Sequence, residues 1–210
     1  VQFGNLRRRR GRVVLKVRHV LLHDAAHEVG DLVFRNVDVE RAGDLVHVRF
    51  GRFGHVLQAA LQVPDHHYLR PYRFLLAADK GRDRLGAILS QVAQEEGQSE
   101  AAIAKAATMP LRAPLVITVV FSPDTASPIP LLDQQLCAAS TVHTLQLAAT
   151  AMGFGAIWRS GWPMYSQLVA QKLGLAAHES IVGFLYVGTI AREQGCGRPD
   201  ARVAEFISNL

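Results

Sequence analysis

Two uninterrupted apolar runs constrain this chain more than any other feature. Residues 114–121 read Pro-Leu-Val-Ile-Thr-Val-Val-Phe, and residues 180–189 read Ser-Ile-Val-Gly-Phe-Leu-Tyr-Val-Gly-Thr. Neither run alternates with polar residues, so each predicts a strand buried on both faces, the first of them central in its sheet. A sheet of that kind needs helices to cover it. Leu85, Ile88, Leu89 and Val92 recur at helical spacing, and a second helix runs through Ala101–Ala107 to the Met109-Pro110 breaker. Asp133–Met152 predicts a long alanine-rich helix with Leu136, Ser140, His143, Leu147 and Ala151 along one face, stopped by Gly153. Residues 71–77 and Ala156–Gly161 read as short strands, and Tyr165–Leu173 as a helix stopped by Gly174. Val56, Leu57, Ala60 and Leu61 mark an apolar helical face ended by Val63-Pro64-Asp65. From residue 56 the predicted order is helix, strand, two helices, strand, long helix, strand, helix, strand and an extended tail.

With 210 residues, 49% hydrophobic and 20% charged, the chain fits one globular domain. Its longest apolar stretch, Pro114–Phe121, is far short of the roughly 20 residues that cross a bilayer, and the first residues carry charge instead of a signal-peptide pattern. Cys137 and Cys196 match no metal or redox spacing, so no metal, no membrane and a cytoplasmic location are expected. The net charge of +5 is local: residues 1–56 hold 11 of the 23 Lys+Arg and 6 of the 18 Asp+Glu, leaving 12 of each for the rest. Arg7–Arg10 has neither interleaved aromatics nor a binding motif, which favours a solvated charge run over contact with nucleic acid.

Gly153-Phe-Gly155-Ala156 follows a helix and precedes a strand, the wrong polarity for a dinucleotide fingerprint, and reads as a helix cap and tight turn. Trp158-Arg159-Ser160 sets an indole, a guanidinium and a hydroxyl at a strand end, groups able to stack on a ring and bind phosphate; a half-buried Trp beside a surface Arg fits as well. Asp65-His66-His67 lacks a third metal ligand, so His66 is expected to donate a hydrogen bond and His67 to be exposed. Ser140 and His143 lack an orienting acid and a nucleophile elbow, and read as a packed polar pair.

Residues 57–74 (LQAALQVPDHHYLRPYRF), 112–120 (RAPLVITVV), 153–161 (GFGAIWRSG) and 181–189 (IVGFLYVGT) together resemble, in order and spacing, the minimal bacterial nitroreductase family of FMN-dependent oxidoreductases. The resemblance covers residues 57 to 210. It implies an α+β fold with a central mixed sheet flanked by helices. It also implies a homodimer formed through the long alanine-rich helix and an exchanged C-terminal tail, with FMN in the dimer interface. By position, Gln62 and His66 would approach FMN from the partner chain, and Trp158, Arg159 and Ser160 would line it from the first. Ala148, Ala149, Thr150, Ala151, Met152 and Gly153 would lie near the route of the nicotinamide donor. The implied reaction is ping-pong: NADH or NADPH passes a hydride to flavin N5 and leaves, then a nitro compound or other electron-poor small molecule is reduced. The hard chemistry is the cofactor's, and Arg159 is the candidate for stabilising the reduced flavin.

The chain also departs from the family. Members often carry Arg where this chain has Gln62 and Trp where it has Tyr72. They usually open on a helix with Arg-Arg-Ser, whose arginines hold the flavin phosphate; here Arg7–Arg10 is followed by Gly11-Arg12, and Arg10 lies 54 residues before Pro64. The alternative is therefore a non-catalytic remnant or small-molecule binder of the same fold with impaired FMN binding. Residues 1–55 contain one lysine, Lys16, show no sustained periodicity, and have a composition that GC-rich DNA yields in a wrong frame. This basic segment is expected to be foreign to the fold and poorly packed, with residues 56–210 forming the FMN domain.

Overall fold

The computed structural model describes residues 51–190 and 202–209, with the backbone of residues 8–9, 12–13 and 34–35. Contacts divide the chain into residues 33–190 and a unit of the two terminal stretches, 1–32 and 191–210. In the terminal unit, β1 (Arg8–Arg9) pairs antiparallel with β2 (Arg12–Val13), and a 3-10 turn spans Val203–Phe206.

The larger unit holds β3 (Phe34–Arg35), α1 (Gly51–Ala60), β4 (Tyr72–Ala78), α2 (Lys80–Glu95), α3 (Glu100–Thr108), β5 (Leu115–Phe121), α4 (Leu131–Ala151), β6 (Gly155–Arg159), α5 (Trp162–Tyr165), α6 (Gln167–Lys172) and β7 (Ser180–Ile190). As its composition predicts, β5 is buried at every position and central, between β4 and β7. Alternate side chains of β5 and β7 feed two cores. Val116, Phe184 and Tyr186 meet Leu85, Leu89 and Val92 of α2, Ala106 of α3 and Val169 of α6. Leu115, Ile117, Val119, Leu185 and Val187 meet Val56 and Ala60 of α1 and Val142, Leu145 and Ala149 of α4. Each fully buried Val, Leu or Ile contributes about 1.5–3 kcal/mol.

The resemblance implies a mixed sheet, yet every described pairing is antiparallel. The connections explain this. α2 and α3 carry the chain away from β4 and back, so β5 enters antiparallel. The single helix α4 returns β6 in the direction of β5, as one crossover helix must, but β7 inserts between them and runs against both. The predicted helix over Tyr165–Leu173 is two: Ser166 is extended and its side chain accepts from the Val169 N–H, ending α5 and capping α6. The first helix begins at Gly51, ahead of the apolar face at Val56. The expectation for residues 1–55 falls mostly outside the described residues; β3 pairs with Thr189 and Ile190. The tail expected to exchange lies partly outside them too.

A part-buried ion pair ties β4 to the residue before β7. Arg73 of β4 donates from Nε and Nη2 to both Glu179 carboxylate oxygens at 2.6 Å each, reaching past the end of β5 to the residue before β7. The Ala176 N–H donates to the same carboxylate at 2.9 Å.

Candidate functional site

Between α1 and β4 the chain makes a tight turn anchored by buried Val63. The Asp65 carboxylate accepts the Arg70 N–H at 2.8 Å, and His67, Tyr68 and Arg70 all take positive φ, at 60°, 56° and 49°. Three left-handed non-glycine residues in four positions are held by their surroundings against a local cost of about 1–3 kcal/mol each. The effect is to present His66, His67 and Tyr68 to solvent beside exposed Gln62. The two imidazole rings lie 4.9 Å apart, and His66 Nδ1 is 4.0 Å from Asp133 at the start of α4. Beneath them the buried Cys137 thiol donates to Asp65; burial first, and the Asp65 charge second, push it up to about 11, so it is no nucleophile at neutral pH.

Ala148–Gly153 occupies the far end of α4. Gly153 at φ 85°, with Phe154 N–H donating to Ala149 O and Gly153 N–H to Thr150 O, forms the glycine cap expected there. Thr150 and Gly153 are exposed, Ala149 is buried, and Ala148, Ala151 and Met152 are intermediate. Beyond this cap β6 carries Trp158 opposite Leu185 and Arg159 opposite Phe184. Successive strand residues point to opposite faces, so Trp158 lies on the α1/α4 side and Arg159 on the other. The two side chains therefore do not share one face, as lining the same ring together would ask. Burial raises the Tyr186 phenol, against the opposing pull of the Arg112 and Arg159 charges. Ser160 is exposed at the strand end.

The residues fall into two groups. Asp133, beside His66, and Ala148 are fifteen residues apart on one straight helix, about 22 Å at 1.5 Å per residue. One chain does not bring the His66 turn and the 148–153 segment together. Between them α4 leaves a stripe uncovered by the described residues: Leu132 is 64% exposed, Leu136 57% and Leu147 54%. Ser140 and His143 lie on this stripe, exposed, and do not form the packed polar pair that their spacing suggested. Among the described residues no three His, Cys, Asp or Glu side chains gather to hold a metal, and no helix is long and apolar enough to cross a membrane.

The sequence pattern of the Nitroreductase family matches residues 48–189. The chain belongs to the nitroreductase family. Membership makes it an oxidoreductase by class. It is 41% identical over 134 residues to "Putative NAD(P)H nitroreductase YdjA" of Escherichia coli (strain K12), an alignment covering 64% of this chain and 73% of that protein. Among solved structures it shares the fold of the nitroreductase-like family protein from Bacillus cereus, with a TM-score of 0.64 and 20% identity over 90% of this chain and 99% of the other. It shares it also with the FMN-dependent nitroreductase from Clostridium difficile R20291, with a TM-score of 0.54 and 20% identity over 80% and 85% of the two chains.

Within this nitroreductase-family unit, the sequence reading missed Tyr68, Arg112 and Gly183. A left-handed backbone at Tyr68 has no residue-type signal, and the Arg112 charge acts on Tyr186 only through the fold. Gly183 was legible in principle, since a glycine inside an apolar strand marks a close approach by another group.

Proposed function

We propose that this nitroreductase-family chain works as a homodimeric FMN-dependent oxidoreductase that uses NADH or NADPH to reduce nitro compounds or other electron-poor small molecules, with the cytoplasm as its compartment. The observation that carries the reading is the division of the candidate residues between opposite ends of α4, with an exposed apolar stripe between them. A second copy laid along that stripe would bring the His66 turn of one chain to the β6 end of the other and would bury Leu132, Leu136 and Leu147.

The donor set suits FMN. Trp158 offers an open indole surface to a ring and Ser160 a hydroxyl at the strand end, whereas Arg159, on the other face of β6, would reach a bound cofactor's phosphate only around the end of the strand. Gln62 and His66 would complete the site from the partner. When bound, FMN would supply the redox chemistry, taking a hydride at N5 from the nicotinamide donor and delivering it to the acceptor in a second half-reaction. The protein's own part is to bind and orient two flat substrates in turn and to keep water from the ring. No side chain is assigned a proton transfer; the nearest thiol, Cys137, is buried and protonated.

The test is to titrate the purified protein with FMN and follow NADPH and NADH oxidation with a nitroaromatic acceptor. The expected result is saturable FMN binding and parallel initial-rate lines against donor and acceptor. A protein that binds no FMN and turns over no nicotinamide would support the non-catalytic binder instead.

A further inference from the structure

β7 carries an irregularity in its pairing with β5. Val119 pairs with Gly183 and Val120 with Ile181, so Val182 is an extra residue on β7. Such a bulge re-aims side chains locally. It explains why Ile181 and Phe184 share a core, although three residues apart in a strand would ordinarily oppose them. The residue after the bulge is Gly183, diagonal to Trp158 across the β6–β7 ladder. A Cβ at position 183 would overlap the Nε1 and Cδ1 atoms of the Trp158 indole and would lie 3.2 Å from the Arg159 carbonyl oxygen. The indole edge thus occupies the space that any other residue at 183 would fill, while 37% of Trp158 stays exposed.

We infer that Gly183 is a positioning residue for the cofactor site: its missing side chain seats the Trp158 indole against β7 and so sets the attitude of the surface presented to the flavin ring. The inference rests on the proposed FMN reading, in which Trp158 lines the cofactor. The β6–β7 register and the overlap are two observations of one arrangement. Alternation along β7 from Leu185 puts position 183 on the Trp158 face, and glycine lets the ring lie down there. A bulkier residue would stand the indole up or swing it into the ring's place.

The experiment is a double-mutant cycle on the whole protein, with Gly183→Ala, Trp158→Ala and the double variant, read by FMN dissociation constant, bound-flavin absorption spectrum and tryptophan near-ultraviolet circular dichroism. In the Trp158 background, Gly183→Ala should weaken FMN by about three- to tenfold, shift the flavin band and alter the tryptophan signal without FMN present. In the Trp158→Ala background the same change should alter FMN affinity by less than about twofold. Equal weakening in both backgrounds would overturn the inference, because the effect would then run through the Arg159 backbone. Unchanged FMN affinity in both would overturn it also. If Gly183→Ala does not fold, the double variant should, with the FMN affinity of Trp158→Ala alone; a double variant that also fails to fold counts against the inference. If the wild-type protein itself binds no FMN, the functional reading falls, while the tryptophan signal still reports whether position 183 seats the indole.

Discussion

Replacing Glu179 with Gln removes one charge from the clamp between β4 and β7 and keeps its shape. The side chain of Glu179 is only 6% exposed, and the Arg73 fork with the Ala176 N–H holds its carboxyl at about 2, against an ordinary 4.5. At about 1.36 kcal/mol per pH unit, that difference sets a ceiling of about 3.4 kcal/mol. Arg73 is 38% exposed, so solvent screens the pair and about 1–2 kcal/mol is the expected loss. Because the folded value lies below the unfolded one, the contribution is complete above about pH 4.5 and fades as pH falls toward 2. Arg73 stays charged throughout and adds no pH dependence in this window. Urea denaturation of wild type and Glu179→Gln at pH 7, 4.5 and 3, at one fixed protein concentration, should show the gap at pH 7 and its narrowing at pH 3. A gap of the same size at pH 3 and pH 7, or none at pH 7, would refute the electrostatic account of the clamp.

Other consequences are as direct. A Cβ at Gly86 would run into the Ala107 carbonyl of α3, so Gly86→Ala should force the α2–α3 pair apart and cost roughly 1–3 kcal/mol, seen as a lower urea midpoint; an unchanged midpoint would show that the helices yield freely. Leu136→Glu puts a charge on the exposed face of α4 without touching either core, so it should yield a folded monomer with unchanged far-ultraviolet circular dichroism and weakened FMN binding; a persistent dimer would place the interface elsewhere. Cys137 should resist thiol reagents in the native protein at pH 8 and be modified there only through unfolding, because its thiol sits near 11; fast labelling at pH 8 would contradict its burial.

What was legible in the sequence followed burial. β5 and β7 show no polar alternation because helices cover both of their faces, and that one fact conveyed the centrality of β5. The stripe Leu136, Ser140, His143 and Leu147 could be read as one face of α4 from spacing alone. Its exposure could not, since an apolar helix face looks the same whether its own sheet or a second copy covers it. Strand direction escaped for a similar reason: a crossover helix tells which way β6 runs, but not that the last strand slides between β5 and β6. The candidate site was found through motif order rather than through chemistry, because no acid–base pair marks it. The divergence of Trp158 and Arg159, though adjacent in sequence, follows from strand alternation and was available as soon as β6 was recognised.

The central claim, a flavin site built by two copies of this chain, is tested most directly by sedimentation velocity recorded in the flavin's visible band and in the protein band together. The account predicts that, with FMN added, flavin absorbance travels with a dimer at one FMN per chain. Flavin travelling with a monomer, or a dimer that carries none, would contradict it.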